Sequence, residues 1–424
     1  MWNKLIRIWK IQDLRKSILF VFALLVVYRL CSNIPLPGVD PLQLRRFFES
    51  NQLLGLINIF SGGGISNFSI VAMGVAPYIT ASIIFQLLAM IVPKIEAMSK
   101  ETDGRQKINQ LTRLATVPLA LLQAYGLITL LKQSNIQFLQ DFSAFQLITT
   151  LFVLTAGTVF LVFLGELISE KNIGNGISLI IFAGIVSQLP TAIERSFFLF
   201  DKTQITSLVV FLLIALVTIL GVVFITEGQR NIPVSYARQI RGSRTFGGVN
   251  TYLPLRVNQA GVIPIIFAIS IILFPPLVAQ FFAQARTPFL ANLSQEVIRI
   301  FQNQNFYAIV YFVLVVGFTY FYTSVVFQPQ QIAENLQKQG GFIPGIRPGT
   351  HTASYLNNVM NRITLAGAVF LGVIAVLPFI VQNVGSIGTI LQLGGTSLLI
   401  VVSVVLETMK QIDAQLTMRD YDGF

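Results

Sequence analysis

Charge is distributed along this chain in a way that leaves few folds open. Long intervals with almost no Lys, Arg, Asp or Glu alternate with short charged segments. An α-helix needs about 20 mostly apolar residues to cross a bilayer. Ten such intervals can be read, at about 17–34, 74–93, 112–131, 148–165, 176–192, 205–225, 259–281, 306–326, 363–382 and 391–408. The fifth is short, and the ninth and tenth share one charge-free run divided at "QNVGSIGTILQLGG". Only 11% of the 424 residues are charged and 54% are hydrophobic, where soluble proteins carry about 25% charged residues. The expectation is an all-α polytopic membrane protein. No cleavable leader is visible: the first sixteen residues are basic and polar and run into the first span, which is expected to act as its own targeting signal.

Basic residues orient the spans. With the N-terminus inside, the inward segments hold 21 of the 29 Lys and Arg, the outward ones 7, and Arg29 lies within the first span. That bias obeys the positive-inside rule and puts both termini in the cytoplasm. Two inward segments, 227–258 and 327–362, are much longer than a helix connection requires. One reading is that they only hold topology. The other is that their arginines dock an acidic or RNA-containing partner, since basic segments favour phosphate by charge alone.

The chain also echoes itself. "GVAPYI" (74–79) and "GVIPII" (261–266) each open the second span of a half and continue into similar apolar runs. Pro-marked spans at matching places suggest a five-plus-five repeat, against chance likeness between two hydrophobic segments. Pro77 and Pro264 lie within the first turn, where a missing N–H is tolerated.

Much chemistry is missing. One Cys (Cys31) and one His (His351) leave no basis for a disulfide framework or a Cys/His metal site. There is no H-E-x-x-H, no G-x-S-x-G, no nucleotide motif and no pair of intramembrane carboxylates. No cofactor is expected. Ion-coupled transporters usually carry Asp, Glu or His at mid-membrane; here only Arg29, near the outer end of the first span, and Glu407, at the inner end of the last, stand out. A passive polypeptide channel is therefore set above a small-solute transporter, with an intramembrane enzyme a distant third. The Ile and Val pairs at spacing four on the Gly/Pro-marked spans would, from pattern alone, be lipid-facing or packed aliphatics.

Seven stretches, in order, carry a resemblance: "IPLPGVD" (34–40), "IFSGGGISNFSI" (59–70), "GVAPYITASIIFQLL" (74–88), "GNGISLIIFAGIV" (174–186), "VNQAGVIPIIFA" (257–268), "GFIPGIRPG" (341–349) and "GGTSLLIVVSVV" (394–405). Together they resemble the SecY family, the pore subunits of bacterial and plastid protein translocases. The resemblance implies ten helices in two pseudo-symmetric halves, 1–200 and 201–424, around a central pore closed by a plug half-helix at about 53–70. The plug would include Ile57, Asn58, Phe60, Ser61, Gly62, Gly63 and Gly64. By motif, the pore ring would be Val75, Ile79, Ile177, Ile181, Ile266 and Ile400, and Gln86 and Asn258 would flank a lateral gate. Arg238, Arg241, Arg244 and Arg347 would dock the SecA ATPase or the ribosome, with rRNA contacted through the basic loops. The implied partners also include SecE, SecG, secretory and membrane-protein substrates and the lipid bilayer. The implied membrane is the bacterial plasma membrane, with the thylakoid as the alternative.

Overall fold

The protein is described by a computed structural model over residues 9–36, 61, 63–65, 67–133, 143–188, 190, 205–236, 239–241, 244–246, 250–282, 287–382 and 396–422. Its helices are α1 (Gln12–Ser32), α2 (Ala76–Ile91), α3 (Pro93–Lys100), α4 (Thr102–Gln133), α5 (Ala144–Glu170), α6 (Gly176–Val186) and α7 (Ile205–Glu227). After four strands come α8 (Ile263–Phe282), α9 (Pro288–Gln302), α10 (Gln304–Val326), α11 (Pro329–Lys338), α12 (Thr350–Gln382) and α13 (Thr396–Asp422). Each of the ten expected spans carries a helix. By length and composition, four helical stretches are fit to cross a bilayer alone, and α2 with α3, bent by 111° at Val92, makes a fifth. The others are shorter or bear charges near their ends.

Local chemistry sets the ends. Ser143 and Gln146 form a reciprocal capping box at the start of α5, and Asn175 Oδ1 accepts from the Ser178 N–H at the start of α6. Pro77 occupies the first turn of α2, and Pro93, which cannot continue the α2 ladder, starts α3 after the bend. Polar sequence hides the true length of two helices. α12 starts at Thr350 and α13 runs to Asp422, each more than three turns past its apolar span. The fifth span is the opposite case: α6 has only 11 residues and turns at Ser187 and Gln188.

α2 packs along α4, α5 joins α4 to α6, and α10 packs along α12. The helices before residue 200 meet the later ones along two lines, α8 against α2 and α4, and α13 against α6. One apolar cluster joins them, drawing on α1, α2, α5, α6, α8, α10, α12 and α13. Outside it, large side chains such as Phe22 (65% exposed), Phe152 (64%) and Phe224 (78%) face outward. Lipid is the surrounding that such a surface suits.

The two long basic segments are built structure. β1 (Gln229–Tyr236) pairs antiparallel with β4 (Asn250–Arg256) and with β5 (Gly341–Phe342), in the order β4-β1-β5. β2 (Gln239–Arg241) and β3 (Arg244–Phe246) form a second, two-stranded ribbon. Ile232, Val234 and Leu255 bury against Phe327, Ile343, Leu356 and Met360, so the two segments share one small core.

Helices α5 and α6 meet at two glycines. A Cβ on Gly176 would collide with the Gly165 carbonyl of α5, and the Ser169 hydroxyl bridges the crossing, accepting from the Gly176 N–H and donating to the Gly165 carbonyl, both at 2.9 Å. Close backbone approach of this kind needs small residues. Gly317 on α10 has open space around it. Gly176→Ala should therefore destabilise the purified protein by about 1–3 kcal/mol, while Gly317→Ala leaves it unchanged or slightly firmer. Thermal unfolding in detergent compares the two, and equal shifts would refute the close crossing.

Candidate functional site

Where α2 and α4 face α8, a cavity of about 80 Å³ opens, lined almost wholly by apolar side chains. Val75, at the N-cap of α2, and Ile79, one turn on, face it together with Ile181 of α6 and Ile266 of α8. Four of the six expected ring residues thus come together. All four are buried, none more than 7% exposed. Ile177 and Ile400 belong to the same apolar cluster but do not line this cavity: Ile177 packs against Gly165 of α5, and Ile400 is fully enclosed. No ionisable group lines the cavity. Such a space can exclude ions and offers no directional bond to anything that enters.

Ser61 and Ile65 close another side of the cavity. Of the expected plug, Ile57, Asn58, Phe60 and Gly62 lie outside the described residues; Ser61, Gly63 and Gly64 are within them. Ser61 is buried, its carbonyl accepts from the Tyr28 hydroxyl of α1 at 3.4 Å, and its hydroxyl accepts from the Ile65 N–H at 3.1 Å. Gly63 takes a positive φ of 80°, a conformation that glycine reaches freely. The chain then runs through turns to Val75 without forming a helix. It is held to the end of α1 by two backbone bonds, Leu36 N–H to the Phe68 carbonyl (2.9 Å) and Ile70 N–H to the Ile34 carbonyl (3.1 Å). Ile65, Phe68 and Ala72 bury against Ala124, Leu127, Ile128 and Leu154 of α4 and α5. Gly157 on α5 has no room for a Cβ, which would strike the Ile70 carbonyl.

The expected gate residues sit on the facing elements, but each amide bonds within its own segment. Gln86 Nε2 donates to Ser82 Oγ (3.0 Å), and Asn258 Nδ2 donates to the Gly261 carbonyl (3.1 Å). Both amide oxygens, Gln86 Oε1 and Asn258 Oδ1, are buried with no hydrogen-bond partner in the protein. Two polar residues that the sequence reading passed over line the cavity instead. Gln123 of α4 donates to Thr80 Oγ1 of α2 at 3.3 Å, and both are buried. The signal was present, since Gln123 is an amide inside an apolar span.

Arg347 is exposed at the tip of the "GFIPGIRPG" turn, between Gly345 (φ 83°) and Gly349 (φ 93°), and its carbonyl accepts from Thr352 Oγ1 at 2.9 Å. Arg241 and Arg244 oppose each other at the end of the β2–β3 ribbon. Arg238 lies outside the described residues.

A family model described as SecY matches residues 69–409. The protein translocase subunit SecY of Corynebacterium glutamicum is 45% identical, with 99% of each chain covered. Among solved structures, one concerning the plug domain of the SecY protein and the membrane seal is similar in fold, with a TM-score of 0.63 at 19% identity, covering 93% of this chain and 90% of that one. Sec61 in a canine ribosome–channel complex is similar at a TM-score of 0.58 and 17% identity, over 93% and 90% of the two chains.

Proposed function

This chain belongs to the SecY family and conducts polypeptides across a membrane, and we propose that its seal is the apolar constriction around Val75, Ile79, Ile181 and Ile266. The family's role is that of a channel rather than of a catalyst. The observation that carries the proposal is the charge-free cavity walled by aliphatic side chains from both ends of the chain. A narrow apolar constriction stops ions by dewetting. Because it makes no specific contacts, it lets any sequence of side chains pass.

In this reading residues 1–200 and 201–424 form two halves, and Ile177 and Ile400 complete the ring as the halves move. The segment ending at Ser61–Gly64 is the anchored base of a plug. α2 and α4 against α8 form a gate that releases apolar segments sideways into lipid, with Gln86, Asn258, Gln123 and Thr80 as its polar groups. The folded module of β1–β5 is the docking surface for the ribosome and for SecA, which supplies the energy of ATP. Its side of the membrane is the cytoplasm of a bacterium, and both termini lie there. SecE and SecG are the expected companions. The ribosome-bound Sec61 relative in fold and the basic charge of the module support this assignment.

Ile79→Asn or Ile266→Asn should hydrate the constriction. Purified channels in planar bilayers should then leak ions in the absence of substrate, and cells should export precursors with defective signal sequences. Unchanged leak together with unchanged signal stringency would sink the ring.

Arg347→Glu reverses a charge on an exposed turn. Stability should change by no more than about 0.5 kcal/mol, while SecA-driven export into vesicles falls several-fold. A stably folded variant with normal export would remove Arg347 from the docking surface.

A further inference from the structure

Helix α9 has an apolar surface wider than the protein covers. Its 15 residues, PFLANLSQEVIRIFQ, place Asn292, Gln295, Glu296 and Arg299 on one arc of the helix and apolar residues on all the rest. One part of the apolar arc turns inward: Ser294 is 2% exposed, and Ile298 and Phe301 are half-buried beside it. The other part turns outward. Phe289 is 74% exposed, Leu293 50% and Ile300 44%, and their spacing of four and seven puts them in one stripe. The stripe suits neither the core, which it does not touch, nor water.

The placement of α9 says what lies against that stripe. α8 starts beside β4 and α10 ends beside α11, so α9, between the far ends of α8 and α10, is at the membrane face opposite the β-module. Asn303 fixes the corner by accepting from the N–H groups of Asn305 and Phe306, and the Phe301 ring meets Phe306 edge-on at 5.6 Å. The outward face of α10 continues from Phe306 through Ile309 (65% exposed) and Val313 (60%). That face is the lipid-facing side of a helix long and apolar enough to span the bilayer.

We propose that α9 is an interfacial helix whose Phe289–Leu293–Ile300 stripe inserts into the lipid leaflet on the side away from the β-module. A helix with this pattern lies in the interface plane with its apolar face about 5–10 Å into the headgroup–acyl boundary. One acidic and one basic residue, Glu296 and Arg299, sit 3.8 Å apart on the polar arc. The insertion is therefore driven by apolar area and does not select anionic lipids. It would brace the far ends of α8 and α10 against the bilayer. The inference rests on membrane residence and not on the channel reading, which stands if it fails.

The test uses the full chain, with its co-purifying subunits, in phosphatidylcholine vesicles whose acyl chains carry bromine near the headgroup. With Trp2 and Trp9, the two tryptophans of the chain, replaced by Phe, single tryptophans are placed at Phe289→Trp, Leu293→Trp, Asn292→Trp and Gln295→Trp. The first two should lose about half their emission to bromine, and the last two should be quenched by aqueous iodide instead. In the unsubstituted chain, a lipid-borne carbene photolabel should mark Phe289 and Leu293 and spare Asn292, which guards against a variant that fails to fold. Equal bromine quenching of the two arcs, or no labelling of the stripe, overturns the proposal. A stripe shielded from both bromine and iodide also overturns it, because the cover is then another protein.

Discussion

Hydrocarbon offers no hydrogen bonds, so every backbone N–H and C=O at membrane depth must find a partner within the protein. Most of this chain meets that constraint as helix. The segment from Ser61 to Val75 does not, and its position follows from the exception. It is non-helical, yet Phe68, Ser69, Val71 and Ala72 are fully buried between α1, α4 and α5. Its backbone bonds run to Ile34 and Leu36 and within its own turns. Gly157, which leaves space for the Ile70 carbonyl, lets α5 come close enough to cover it. A channel obstructed from within needs an irregular segment at depth, and only a protein wall on several sides makes one tolerable.

Sequence and structure agree where the physics is local and diverge where it is not. The ten spans were legible because lipid demands apolar length, and each carries a helix. Ends that project beyond the apolar region were not: "THTASYLNNVMNR" is polar, and only the described helix shows that α12 begins there. α9 was missed for a related reason. Its charges broke the apolar run that the span criterion looked for, while its pattern was that of a helix lying flat. The two basic loops could be read as docking surfaces but not as one folded unit, because Ile232 and Ile343 are more than a hundred residues apart and become neighbours only through strand pairing. Four ring positions could be placed from motif. Ile177 could not be aimed from sequence, since its direction depends on the glycine crossing of α5 and α6.

The polar ties of the molecule are arranged unevenly about its middle. Arg113 pairs with Glu166 at 2.9 Å, joining α4 to α5, and Lys410 pairs with Glu227 at 2.8 Å, joining α13 to α7. Each pair stays on its own side of the chain's midpoint and is half-exposed, so each contributes at most about 1 kcal/mol. Between early and late helices one polar tie is seen away from the cavity, Gln415 Nε2 donating to the Asn172 carbonyl at 2.7 Å, where α13 meets the turn before α6. On the opposite side, α8 meets α2 and α4 through aliphatic contacts. One side of the assembly is tied and the other is only packed, which is the arrangement of a hinge and a mouth.

Packing alone would make that mouth hard to open, and the two unpartnered amide oxygens offset it. A buried acceptor without a donor costs about 1–3 kcal/mol, and Gln86 Oε1 and Asn258 Oδ1 are both in that state while α2 and α8 are together. Parting the helices hydrates both oxygens and recovers that cost, against the loss of a limited apolar contact. The closed arrangement is then favoured by only a small difference between the two, of the same order as the partitioning of a few apolar side chains into lipid. An entering apolar segment supplies that much by itself. The seal is therefore strong toward ions, which meet the apolar ring, and weak toward a hydrophobic helix, which meets the mouth.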